Sequence, residues 1–195
     1  MNEKAIIARF VDTMREITEK VSENIEVIER NAILQLIDLI LDLNDANARV
    51  FVYGAGRSGF IGRCFAQRLM HLGINSCFVS DAVTHQYTKN DGVIIISGSG
   101  ETTSPVAIAK KARDIGGKIV LLTGNPQSTI GNISDLIIQI KGKSKDKATS
   151  QRTLAPYTSL FDISTLAVLD SIGGILMEIL EVTEADIDMH HATIE

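Results

Sequence analysis

The sequence predicts an α/β fold of the doubly wound, flavodoxin-like kind: a five-stranded parallel sheet flanked by helices, with further helices at the N- and C-terminal ends. Three observations carry that prediction. Five short apolar runs lack polar alternation, the pattern of strands covered on both faces. Helical stretches lie between them, as the crossovers of a parallel sheet require. Clusters of glycine and hydroxyl residues follow the first and third runs, where such a sheet opens its crevice.

Taken in order, Phe10, Met14, Ile17, Val21, Ile25 and Ile28 recur every three or four residues between Arg15, Glu16, Glu19 and Lys20. That spacing is one apolar stripe on a long helix. A second helical pattern, Ile33, Leu34, Leu36, Ile37, Ile40 and Leu41, runs to Asn44, so residues 1–44 form a helical arm. The expected strands are Val50 to Tyr53, Ser76 to Val79, Val93 to Ile96, Ile119 to Leu122 and Leu136 to Ile140. Helices are expected at about Ser58 to Leu72 and Thr102 to Ile115, with a short one near Gln127 to Asn132. The run from Lys141 to Lys147 opens a polar surface loop over 141–153. A long apolar helix follows from about Ser159 to Leu180, then a short one near Glu184 to His190 within a tail of residues 183–195.

A chain of 195 residues suffices for one core and is short for two, so a single domain over 1–195 is expected. With 45% hydrophobic and 22% charged residues, the balance is that of a soluble globular protein. No apolar run approaches the about 18 residues that span a bilayer, and MNEKAIIARF does not read as a signal peptide. The expectation is a cytoplasmic protein with no membrane partner. A net charge of -5 gives no electrostatic reason for a nucleic-acid partner. Cys64 and Cys77 have neither metal-site spacing nor a disulfide framework and read as reduced, buried packing residues.

Gly54-Ala55-Gly56-Arg57-Ser58-Gly59 fits the G-x-G-x-x-G pattern of a dinucleotide site, and Asp81 lies where an acid would hold a ribose. The loop after the third strand points elsewhere. Ser97-Gly98-Ser99-Gly100-Glu101-Thr102-Thr103-Ser104 gathers five hydroxyls at the start of a helix, a neutral cradle for a phosphate dianion. Each of Ser99, Thr102 and Ser104 could instead serve as a helix cap, and Pro105 suits the first helical turn. Gly142-Lys143-Ser144 looks like the end of a P-loop but has Ile137 where the opening glycine belongs, and is rejected as a nucleotide site.

Together, GAGRSGFIGRCFAQRLMHLG and ISGSGETTSPVAIAKKARDIGGKIVLLTG resemble the SIS sugar-isomerase superfamily. RLMHLG and the terminal HATIE narrow the resemblance to the 3-hexulose-6-phosphate isomerase family. It covers the chain from Val50 onward and implies interconversion of 3-hexulose 6-phosphate and fructose 6-phosphate with no metal and no cofactor. It also implies a homotetramer whose active sites are shared between subunits. Carried onto this sequence, it assigns phosphate contacts to Ser58, Ser97, Ser99 and Thr102, with Gly56 and Gly98 in the same loops. It assigns a catalytic carboxylate to Asp162 and a catalytic histidine to His191. Arg57 is a secondary candidate for substrate or subunit contact. Where the family reads Phe-Glu, this chain has Phe161-Asp162, a base one methylene shorter, and His190 stands in place of an arginine.

Moving a carbonyl between neighbouring carbons needs a base that removes a carbon-bound proton and returns it through an enediol. Asp162 is the candidate, although Ser159-x-x-Asp162 also reads as a capping box. His191 could shuttle oxygen-bound protons, since imidazole titrates near neutrality. His85 is expected to line the crevice and His71 to pack near its helix end. Three other readings stay open from sequence: an isomerase acting on a different sugar phosphate, a phosphosugar-binding protein without catalysis, and a nicotinamide-dependent oxidoreductase built on GAGRSG and Asp81.

Overall fold

The computed structural model of the protein describes residues 2–142 and 153–190, the side chain of His190 excepted. The chain begins with α1 (Glu3–Val27) and α2 (Arg30–Asp45). Then come β1 (Val50–Gly54), α3 (Arg57–His71), β2 (Ser76–Phe78), β3 (Gly92–Ile96), α4 (Thr103–Ile115), β4 (Lys118–Thr123) and β5 (Leu136–Gln139). It closes with α5 (Ser159–Ile179) and α6 (Glu184–His190). All strand pairs are parallel, in the order β2-β1-β3-β4-β5, the doubly wound arrangement expected.

Alternate strand residues enter two cores, which is why the strands read as unbroken apolar runs. Val50, Val52, Ile94, Ile96, Val120 and Leu122 join α2, α3 and α5 on one face. Phe51, Val93, Ile95, Ile119 and Leu121 meet α4 on the other. Leu36, Ile40, Leu69 and Leu121 are wholly enclosed, each such side chain contributing about 1.5–3 kcal/mol. Outside this frame, α1 packs along α5. Of its stripe, Ile17, Val21 and Ile28 are half-buried, while Phe10, Met14 and Ile25 stay exposed.

Four expectations need correction. The short helix near Gln127 to Asn132 contracts to a 3-10 turn at Gly131–Ile133. Ser128 is tied back to the Gly131 N–H there, and Gly131 lies so close to the Pro126 carbonyl that a Cβ would fall 1.9 Å from it. Cys64 is exposed, because its position on α3 turns away from both cores, and Cys77 is half-buried, packed at the margin of the second core on the edge strand β2. The polar residues of α5 do not prevent it from being long and apolar enough to cross a membrane, with a mean hydropathy of 1.6. Its apolarity serves the core, where Phe161, Leu169, Ile172 and Leu176 are buried. His85 is exposed and borders a small recess beside Tyr87 and Lys111, not the crevice at the strand ends. His71 is buried at the end of α3, as expected.

Candidate active site

The sheet order reverses between β1 and β3, and the loops leaving these strands face each other there. The first turns tightly into α3. A Cβ on Gly54 would lie 2.6 Å from the Ser58 carbonyl oxygen, and one on Gly59 would lie 2.7 Å from the Gly54 oxygen. The glycine pattern therefore brings the start of α3 against the strand end, with Arg57 and Ser58 at the rim.

The second loop is shaped by its own hydroxyls. The Gly100 N–H donates to the Ser97 carbonyl at 3.1 Å and to Ser97 Oγ at 3.2 Å, while the Glu101 N–H donates to Ser99 Oγ at 3.2 Å. Ser99 Oγ and Thr102 Oγ1 stand 3.5 Å apart. Thr102 holds the N-cap position of α4 but makes no side-chain capping bond. Its hydroxyl thus faces the cleft beside the first-turn N–H groups, which have no intrahelical acceptor. Helping to brace this loop from behind, Glu101 accepts from the Thr129 N–H at 2.7 Å and from Thr129 Oγ1 at 2.6 Å. Those two bonds, the side-chain one first, hold the Glu101 carboxyl below its ordinary value.

Between the loops lies a cleft of about 350 Å³ lined by Gly56, Arg57, Ser58, Ser97, Gly98, Ser99 and Thr102. Seven of the nine residues singled out from sequence thus meet in one place. Tyr157, Thr158 and Phe161 close the third side and had not been assigned roles. Their only sequence signal was their position just before and beside Asp162.

Asp162 lies beneath the cleft wall, 1% exposed. Oδ2 accepts from Thr158 Oγ1 at 2.6 Å and from Arg57 Nε at 3.0 Å, and Oδ1 accepts from Ser58 Oγ at 3.1 Å. The capping-box alternative fails: Thr158, not Ser159, is the N-cap residue, and the carboxylate turns toward the cleft loops. Thr158 takes φ 68°, a left-handed conformation that costs a β-branched residue about 1–3 kcal/mol. That strain aims its hydroxyl at Asp162. Asp81 is paired with Arg63, whose guanidinium also covers the Phe78 ring at 4.0 Å, so the acid that would hold a ribose in the nicotinamide reading is engaged by a cation. His191 lies outside the described residues, as do Lys143 and Ser144.

The family model of the SIS domain matches residues 42–167, the segment that builds both loops and carries Asp162. The chain belongs to the SIS domain family. Within it, the chain is 38% identical to the 3-hexulose-6-phosphate isomerase of Bacillus subtilis over 188 residues, covering 96% of this chain and 100% of that one. A crystal structure from Methanococcus jannaschii, described as inferring a function of 3-hexulose-6-phosphate isomerase, is 31% identical. Its TM-score is 0.79, with 95% and 98% of the two chains covered. An Escherichia coli protein solved in complex with A5P is 27% identical, with a TM-score of 0.82 over 98% and 100% of the chains. These matches place this SIS protein in the 3-hexulose-6-phosphate isomerase family.

Proposed function

We propose that this SIS protein is a sugar-phosphate isomerase that interconverts 3-hexulose 6-phosphate and fructose 6-phosphate. The observation that carries the reading is a cradle of hydroxyls and helix N–H groups whose neighbouring wall, Arg57, Ser58 and Thr158, is bonded to one buried carboxylate. The family relationship supplies the reaction.

Ser99, Thr102 and the start of α4 take the phosphate, with Ser97, Gly98 and Ser58 around it. Fixing that end holds the reacting carbons against the cleft wall. Asp162 removes the proton from C2 of 3-hexulose 6-phosphate and returns it to C3, while a proton passes from O2 to O3. His191 is assigned that oxygen-bound transfer. Arg57 is exposed to water and Ser58 lies at the cleft, so an arriving phosphate competes for both donors and releases Oδ1 of the carboxylate, while Thr158 still holds Oδ2. The whole chain acts as one isomerase domain, in the cytoplasm where phosphorylated ketoses are made and used.

The active form is a homotetramer with sites completed across subunits. Ile6, Ile7, Phe10 and Met14 on α1, Leu34 on α2 and Ile175 on α5 are exposed, more apolar surface than a lone subunit needs. Sedimentation of the protein at micromolar concentration tests this, and a monomer contradicts it.

One observation favours a second reading. Asp162 is engaged by three donors and sealed from solvent, which suits a site that binds a phosphosugar without turning it over. Assaying fructose 6-phosphate for both binding and conversion separates the two: turnover supports the isomerase, binding without turnover the alternative.

A further inference from the structure

One helix outside the sheet grips both chain segments that flank the start of α5. The Asn24 side chain, 2% exposed, pairs with the backbone of Lys141 as another strand would: Nδ2 donates to the carbonyl at 2.9 Å and Oδ1 accepts from the N–H at 2.7 Å. The next residue, Gly142, lies flat on the first turn of α5, where a Cβ would come within 2.9 Å of Phe161 backbone atoms. Two turns earlier on α1, Glu16 Oε2 accepts from the N–H groups of Leu154 and Ala155, each at 2.7 Å, and Arg9 donates to the Leu154 carbonyl at 2.9 Å. Leu154 and Ala155 lead directly into Tyr157 and Thr158 on the cleft wall.

Glu16 and Asn24 are eight residues apart, about 12 Å along a helix, so α1 spans the two segments like a splint. The phosphate loops are held instead by the sheet, since they leave β1 and β3 in its middle, and they meet this wall through Arg57, Ser58 and Gly98. We propose that Glu16 and Asn24 are positioning residues for catalysis, holding the Tyr157–Asp162 wall in register with the phosphate cradle. The inference rests on the isomerase reading and deepens it: substrate affinity is set by the sheet loops, and turnover by a side-chain grip from the N-terminal arm. The grip on Leu154 and Ala155 is charge-assisted, so removing the carboxylate leaves two amide donors unpaired.

The test compares the parent protein with Glu16→Ala, Asn24→Ala and the milder Glu16→Gln, which keeps an acceptor. Melting, sedimentation, kcat and KM are measured, with amide hydrogen exchange in peptides covering 153–163 and 97–104. The expected result is kcat lower by about 10- to 100-fold in the alanine variants, the scale of a small misplacement at a reacting centre. KM stays near the parent value, Glu16→Gln falls between, and exchange accelerates in 153–163 alone. An unchanged kcat in the folded variants overturns the proposal, as does acceleration spread evenly over both peptides. If the parent turns over no sugar phosphate, the isomerase reading fails, and the exchange data still judge the splint: no local acceleration in Glu16→Ala or Glu16→Gln overturns it.

Discussion

Replacing Asp162 with asparagine tests the proposed proton transfer at the atom where it occurs. The carboxylate receives three donors at 2.6, 3.0 and 3.1 Å. Asparagine keeps one acceptor and presents an NH₂ group where the second oxygen stood. With the amide oxygen at the Oδ2 place, both Thr158 and Arg57 still donate to it, and the NH₂ faces Ser58, whose hydroxyl can rotate to accept. The structural loss is therefore the charge assistance of the Arg57 bond. Such bonds contribute about 1.5–3 kcal/mol when buried, but the Arg57 side chain is 62% exposed and can turn to water. A cost of at most about 1 kcal/mol follows, and for a chain of this size melting falls by no more than about 4 °C. A typical domain stability of about 5–15 kcal/mol leaves the variant folded. Turnover falls by about 10²–10⁴, the contribution of a positioned general base, with sugar-phosphate affinity little changed. Calorimetric melting and fructose 6-phosphate turnover, run on the same Asp162→Asn sample, decide the matter. A folded variant with near-parent kcat refutes the assignment and leaves Asp162 as an anchor for Arg57 and Thr158.

Gly100→Ala should distort the phosphate loop, because φ is +66° and the new Cβ would lie 2.0 Å from Ser128 Oγ. Overpacking of this kind costs about 1–3 kcal/mol before the backbone strain is added, and calorimetry should find sugar-phosphate binding nearly abolished, with partial recovery on adding Ser128→Gly. Ser99→Ala removes a hydroxyl facing the charged group and should weaken binding by about 1–3 kcal/mol; unchanged affinity would count against the cradle. The Glu101 brace should respond to acid. Its folded value is depressed below the ordinary 4.5 by the Thr129 bonds, so its hold on the loop is complete above 4.5 and is lost as pH falls through the folded value. An NMR titration should show the Glu101 midpoint rising toward 4.5 in Thr129→Val, and no movement would remove the brace from the account.

Much of the fold is legible because the sheet is buried on both faces. Val93 to Ile96 and Ile119 to Leu122 are apolar at every position, and they emerge as β3 and β4 within one residue of their expected bounds. The loops were legible for a different reason: the glycine pattern of Gly54, Gly56 and Gly59 and the hydroxyls of Ser99 and Thr102 at a helix start are local features that can be read without the fold, whereas Ser58 rests on the family resemblance. What escaped depends on distant partners. The left-handed Thr158, which moves the cap of α5 back by one residue, follows from its contact with a carboxylate and two loops that meet only in the folded chain. The same holds for Asn24 and Glu16, two polar residues on a helix whose apolar stripe dominates its pattern, bonded to backbone more than 100 residues away. Cys64 departs from cysteine's usual burial because α3 turns its position toward solvent.

The central claim is tested most directly by NMR of fructose 6-phosphate incubated with the protein in deuterium oxide. If Asp162 carries a proton between C2 and C3, a 3-hexulose 6-phosphate signal appears and deuterium enters the recovered fructose 6-phosphate at C3, both lost in Asp162→Asn. Label at C1 would mean that the protein interconverts an aldose and a ketose instead. Fructose 6-phosphate that is bound, unlabelled and unconverted would contradict the isomerase account.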